Sequence, residues 1–115
     1  ITADQSYKRP TMWTLNPPNS LYELTILGSF VEVFLAKEGH SNPVGINLLE
    51  KIQMPNTSTL YGAMQAGVDY VFMGAGIPMQ IPGILDDLAQ HKAVSYRIDV
   101  EGSGADDDYR IHFDP

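Results

Sequence analysis

The strongest constraint in this chain of 115 residues is the way its apolar pattern changes period. Helix-like and strand-like stretches alternate along its middle. Ser20 opens a helix, with Glu23 three residues on completing an S-x-x-E capping box. Leu24, Leu27, Val31, Phe34 and Leu35 recur at helical spacing and form one apolar face. Gly39 ends this helix by taking the left-handed conformation, and Lys37 in its last turn suits the helix dipole. Residues 44–49 (VGINLL) form a short apolar run that reads as a strand buried on both faces. Pro55-Asn56-Thr57 reads as a loop leading into a helix on Leu60, Ala63, Met64 and Ala66, closed by Gly67. Residues 68–73 make a second buried strand, followed directly by Gly74-Ala75-Gly76-Ile77-Pro78. Pro82 suits the first turn of a third helix with Ile84, Leu85 and Leu88 on its face. Val94, Tyr96, Ile98 and Val100 alternate with Ser95, Arg97 and Asp99, a period-two strand.

The order α-β-α-β-α-β implies crossover connections and a parallel sheet. Three strands and three helices fall short of a closed (β/α)8 barrel, which takes about 250 residues. The expected fold is therefore α/β: a partial TIM-barrel segment, with a small open three-stranded sheet as the alternative that needs no missing partners. Residues 1–19, with Pro10, Pro17 and Pro18, read as an extended arm. Tyr7 and Trp13 are expected to lie against the body of the protein. Residues 20–100 hold the α/β segment. Residues 101–115 read as a Gly- and Asp-rich acidic tail.

Charge narrows the partners. The net charge of −7 repels phosphate backbones, and no Lys/Arg cluster offsets it, so nucleic acid is not expected. The longest apolar stretch, residues 24–36, contains Glu32 and is too short to span a bilayer, so no membrane partner is expected. No basic-then-apolar leader is present. The first residue is Ile, as a cleaved tag, a processed product or a fragment would give. The absence of cysteine excludes a disulfide framework and thiolate metal sites, and it fits a cytoplasmic, reducing location.

In parallel α/β folds the reactive groups gather where strands end. Two places qualify. At the first, Asn47 interrupts an apolar strand. A buried amide there must bond backbone or the polar edge of a heterocycle. Lys51 and Gln53 follow in the adjoining loop, where a lysine either is solvated or neutralises an anionic ring or phosphate. At the second, Gly74-Ala75-Gly76 is either an ordinary turn or a place where a flat ring approaches bare backbone.

Taken together, residues 30–40 (FVEVFLAKEGH), 44–53 (VGINLLEKIQ), 60–64 (LYGAM) and 66–78 (AGVDYVFMGAGIP) resemble the nitronate monooxygenase (2-nitropropane dioxygenase-like) family. Related flavin-dependent enoyl reductases share a Gly-hydrophobic-Asn strand followed by a strand ending in Gly-Ala-Gly. The resemblance covers roughly residues 10–115. It implies FMN held non-covalently at the mouth of a TIM barrel, and oxidation of alkyl nitronates by oxygen or, in the reductase branch, reduction of enoyl thioesters. It further implies that Asn47 bonds the flavin edge, that Gly74, Ala75 and Gly76 let the ring lie against backbone, and that Lys51 and Gln53 lie near flavin or substrate.

The family's Gly-rich first strand, its phosphate-binding later strands and its histidine-bearing segment have no counterpart here. The chain is thus expected to be an internal fragment, inactive alone. A homodimer or a complementing barrel segment would complete it, and a small-molecule substrate belongs to the whole enzyme. A truncated, non-catalytic α/β module that self-associates is the rival reading. No catalytic residue is assigned. His40 is expected to cap or pack after a helix-ending glycine, His91 to close a helix, and His112 carries no signal. Asp106-Asp107-Asp108 lacks the spaced ligands of a calcium loop and reads as a solvated run, so no metal is expected. Asp86 and Asp87 are adjacent on a helix and diverge.

Overall fold

A computed structural model describes residues 9, 11–100, 102, 104 and 108–115. The elements are α1 (Asn19–Ala36), β1 (Gly45–Leu49), α2 (Asn56–Gln65), β2 (Tyr70–Gly74), α3 (Ile81–Ala89), β3 (Val94–Arg97) and β4 (Arg110–Phe113). Among the described residues the fold is mixed α/β, with three helices and four short strands. β1 and β2 pair in parallel with α2 between them, and β3 and β4 pair antiparallel.

Several boundaries follow the local chemistry. Gly39 and Gly67 take φ of +78° and +80° where α1 and α2 end, a region glycine enters without penalty. Pro82 stands in the first turn of α3. Lys37 Nζ donates to the Gly67 carbonyl at 2.8 Å and meets Asp69 Oδ2 at 3.1 Å. Asp69 Oδ2 also accepts the Val44 N–H at 2.8 Å. The entrance to β1, the end of α1 and the start of β2 are thereby tied at one carboxylate. Trp13 packs edge-on against Tyr22, with ring centroids 5.3 Å apart, so this part of the arm does lie on the body. Tyr7 falls outside the described residues.

Other expectations are corrected. The Ser20/Glu23 capping box does not form: α1 begins at Asn19 after Pro18, and the Leu21 N–H bonds the Pro18 carbonyl at 3.0 Å. Ser20 is already inside the first turn, where its hydroxyl is no longer at the cap. Asn56 and Thr57 likewise belong to α2 rather than to a loop. β2 starts at Tyr70: the Val68 N–H still bonds back to the Ala63 carbonyl at 3.1 Å, and the Asp69 N–H reaches the Val44 carbonyl at 2.9 Å just before the paired strand begins.

The expected apolar face of α1 is the solvent face. Leu24, Leu27, Val31, Phe34 and Leu35 are exposed, whereas Leu21, Ser29 and Val33 are buried. The reason lies in α2. Gly62 sits against Ser29 Oγ and the Ile26 carbonyl, and a Cβ at Gly62 would collide with both. This close approach requires a small residue on α1, so the Ser29 side turns inward and the larger side chains turn out.

β1 is not buried on both faces. Gly45, Asn47 and Leu49 are exposed and alternate with half-buried Ile46 and Leu48. Their register partners Tyr70 and Phe72 are exposed too, so one face of the parallel pair is open.

β3 keeps its period as far as Val94 and Tyr96, with Ile98 buried just beyond its end, but Val100, expected in the same row, is exposed past the end of the strand. Its partner, however, is antiparallel β4, drawn from the segment read as an acidic tail. Ile111 and Phe113 alternate with Arg110 and His112, and this second apolar row closes the core over Leu60, Ile84 and Leu88. A parallel three-stranded sheet is therefore not formed.

Candidate functional site

The parallel register sets Leu49 opposite Gly74, so the ends of β1 and β2 lie side by side. The Glu50 N–H extends this pairing by donating to the Gly74 carbonyl at 2.7 Å. Glu50 then folds its side chain over the next turn, and its carboxylate occupies the space a Cβ on Gly76 would need. Between the two glycines, Ala75 takes φ of +58°, a left-handed conformation unfavourable for a residue with a Cβ. Strain of this kind gathers where surrounding structure holds a loop in place.

A polar network fastens Glu50 there. Tyr96 OH donates to Glu50 Oε1 at 3.3 Å, from a side chain only 1% exposed. Gln53 Nε2 reaches the same oxygen at 3.5 Å and Asp99 Oδ2 at 3.3 Å, while Gln53 Oε1 accepts the Asp99 N–H at 2.8 Å. Asn56, buried at the start of α2, donates to the Leu49 carbonyl at 3.4 Å. Burial raises the Tyr96 phenol above its ordinary pKa, the Asn56 hydrogen bond pulls it down, and the carboxylates of Glu50 and Asp99 add to the rise. Tyr96 accordingly stays protonated and serves as a donor at neutral pH.

Of the residues singled out by sequence, Gln53, Gly74, Ala75 and Gly76 come together around Glu50. Gln53 is committed to holding the β1–α2 turn against the end of β3. Gly76 is exposed, with the Glu50 carboxylate standing where its Cβ would be. Asn47 is exposed, contrary to the expectation of a buried amide, because the face of β1 that carries it has no covering layer. It shares that face with Leu49, Phe72 and Gly74. Its side chain makes no hydrogen bond among the described residues, so its donor and acceptor are both available. Lys51 is also exposed and borders a separate groove beside the N-terminal arm.

Glu50, Asn56, Tyr96 and Asp99 escaped sequence reasoning. Only Tyr96 carried a signal, as the one residue with a polar tip on the inner row of β3. The histidines are elsewhere. His40 Nε2 lies 2.6 Å from the Ala36 carbonyl, and His40 Nδ1 accepts the Asn42 N–H, which caps the end of α1. His91 follows α3 with φ of +55° and meets Tyr61 OH at 2.9 Å through Nδ1. His112 is exposed on β4. Among the described residues no cluster of three or more His, Asp or Glu side chains could hold a metal ion. Asp108 pairs with Arg110 at 2.9 Å, and Asp106 and Asp107 fall outside the described residues. No helix among those residues is long and apolar enough to cross a membrane.

Compared with family models, with curated proteins and with solved structures, the chain finds no match.

Proposed function

We propose that this chain is a segment of an FMN-dependent cytoplasmic oxidoreductase of the nitronate monooxygenase type, contributing part of a TIM barrel and part of its flavin site. The observation that supports the reading is the uncovered face of the parallel β1–β2 pair. Parallel strands are ordinarily buried on both sides. Here one side carries Leu49, Tyr70 and Phe72 into solvent, together with the unpartnered amide of Asn47 and the bare backbone of Gly74. A further layer of strands and loops would enclose that side.

The residues fit a flavin in part. Asn47 offers a donor and an acceptor to the edge of a heterocycle, and Gly74 leaves room beside it. Glu50 fills the space on the Cβ side of Gly76, so a ring belongs on the face of Asn47 and Gly74. Bound FMN would supply the electron-accepting chemistry, taking a pair from a carbanionic substrate and passing it to oxygen. The chain's own part is to hold the ring edge through Asn47 and to keep the glycine turn rigid through Glu50, Gln53 and Tyr96.

The test is an FMN titration followed by flavin fluorescence and the visible spectrum. The 115-residue monomer should bind weakly or not at all. Produced with the sequence that flanks it in its gene, the protein should hold FMN one to one, and Asn47→Ala should weaken binding about tenfold through loss of one well-made hydrogen bond. Stoichiometric FMN on the monomer would refute the half-site, and a colourless longer protein would refute the flavin.

One observation favours a second reading. The exposed stripe on α1 and the open sheet face leave two apolar surfaces of the kind that drive assembly. A non-catalytic module that pairs with its own copy would be a dimer in solution without flavin, which sizing distinguishes.

A further inference from the structure

We infer that the groove between the N-terminal arm and the β1–α2 turn binds a carboxylate that carries an apolar chain. The inference does not rest on the flavin reading. The groove has a volume of about 610 Å³ and takes Arg9, Met12 and Trp13 from the arm and Lys51, Ile52 and Met54 from the turn. That volume falls within the roughly 300–1,000 Å³ typical of small-molecule sites.

Its floor is apolar and wet. Met12 is 82% exposed and Ile52 50%, so two large apolar side chains wait to be covered. Its charge is of one sign. The chain has 7 Lys and Arg against 14 Asp and Glu, yet two of those cations, from segments far apart in sequence, meet at this groove. Lys37 and Arg110 are paired with Asp69 and Asp108, whereas Arg9 and Lys51, like Lys92 and Arg97, form no ion pair among the described residues; Arg9 and Lys51 differ from that second pair in lining one groove. An anion in the groove would have both cations on its border.

The walls are fixed from outside the groove. Gln53 ties the turn to Asp99, and the Ile52 N–H bonds the Leu49 carbonyl at 3.1 Å. Trp13 is set against Tyr22. The polar atoms that hold the turn are thus already engaged, which leaves Arg9 and Lys51, with the Thr11 hydroxyl, as the groups that address a ligand.

The combination selects the ligand class. A guanidinium presents a fork that matches a carboxylate, and an ammonium adds a second donor. The net charge of −7 opposes small free anions, so charge alone does not suffice. Covering the apolar floor supplies the remainder, at about 25 cal/mol per Å² of apolar surface buried. A bare phosphate would leave that floor wet, and an alcohol would leave the cations unmatched.

Trp13 is the single tryptophan and lies in the groove wall, so its emission reports occupancy directly. The purified chain is titrated with decanoate below its micellar concentration, and in parallel with decanol, acetate and inorganic phosphate. Decanoate should saturate the Trp13 signal. Acetate and phosphate should leave it unchanged, and decanol should bind about tenfold more weakly or worse. Arg9→Gln and Lys51→Gln should each weaken decanoate about tenfold, since each removes a charge-assisted bond. Both side chains are exposed, so the variants should keep the wild-type circular dichroism. Equal binding of decanol and decanoate would overturn the inference, as would saturation by phosphate alone or wild-type affinity in both variants. FMN is followed separately in the visible region, so the fate of the flavin reading is decided independently.

Discussion

Asp69 shows how one residue can join three elements. Its carboxylate accepts the Val44 N–H and meets the Lys37 ammonium, and these two interactions hold its pKa below the usual carboxylate range, the backbone bond contributing most. The sign of the pH effect follows. A carboxyl whose folded pKa is depressed contributes stability above its unfolded pKa and loses it as pH falls through the folded value. Wild-type protein should therefore exceed Asp69→Asn in stability at neutral pH, and the gap should close below the ordinary carboxylate range. Urea unfolding of both proteins from neutral to strongly acidic pH measures this, and parallel pH profiles would sink the assignment. At the same scale, Gly67, two residues before it, was legible as a helix stop because a left-handed backbone is a local demand. The bonding of Asp69 was not, since Val44 lies 25 residues away.

For whole elements, α1 is the informative case. Its length and its end near Gly39 follow from periodicity and a glycine stop, but periodicity alone favoured the wrong side. The stripe of Leu24, Leu27, Val31, Phe34 and Leu35 is the more apolar side, yet the contact with Gly62 of α2 turns the Ser29 side inward. Leu21→Ala should cost about 2–5 kcal/mol, as a buried leucine does. Leu24→Ala should fall within about 0.5 kcal/mol of wild type in dilute monomer, as exposed positions do. Denaturant unfolding of the two variants settles the facing of α1: a larger cost at Leu24 would mean the helix is turned the other way. β4 teaches the same lesson in reverse. Its four residues sit among Gly and Asp and show too short an alternation to stand out, but opposite β3 their Ile111 and Phe113 complete an apolar layer.

At the scale of the molecule, two features oppose each other. The apolar stripe on α1 and the open face of β1–β2 promote association, while a net charge of −7 resists it between identical copies. Salt screens the repulsion, with a Debye length of about 10 Å at 0.1 M and about 3 Å at 1 M, and leaves apolar contacts intact. The weight-average mass in sedimentation equilibrium should therefore rise with sodium chloride. A mass that stays monomeric across that range would refute self-association through these faces.

What the sequence determined by itself is local: the succession of helices and strands from α1 to β3, the glycine stops at Gly39 and Gly67, the proline start of α3, the inner row of β3 as far as Ile98 and the joining of Gly74-Ala75-Gly76 to a strand's end. Each follows from sterics and periodicity within a few residues. Tertiary structure alone decided which side of α1 is buried, which segment pairs with β3, and that Glu50 fills the space on the Cβ side of Gly76 under the hold of Tyr96, 46 residues away in sequence. Those outcomes depend on contacts between distant segments, where a methylene more or less at Gly62 outweighs the hydrophobicity of a whole helical face. No window of neighbouring residues contains that comparison.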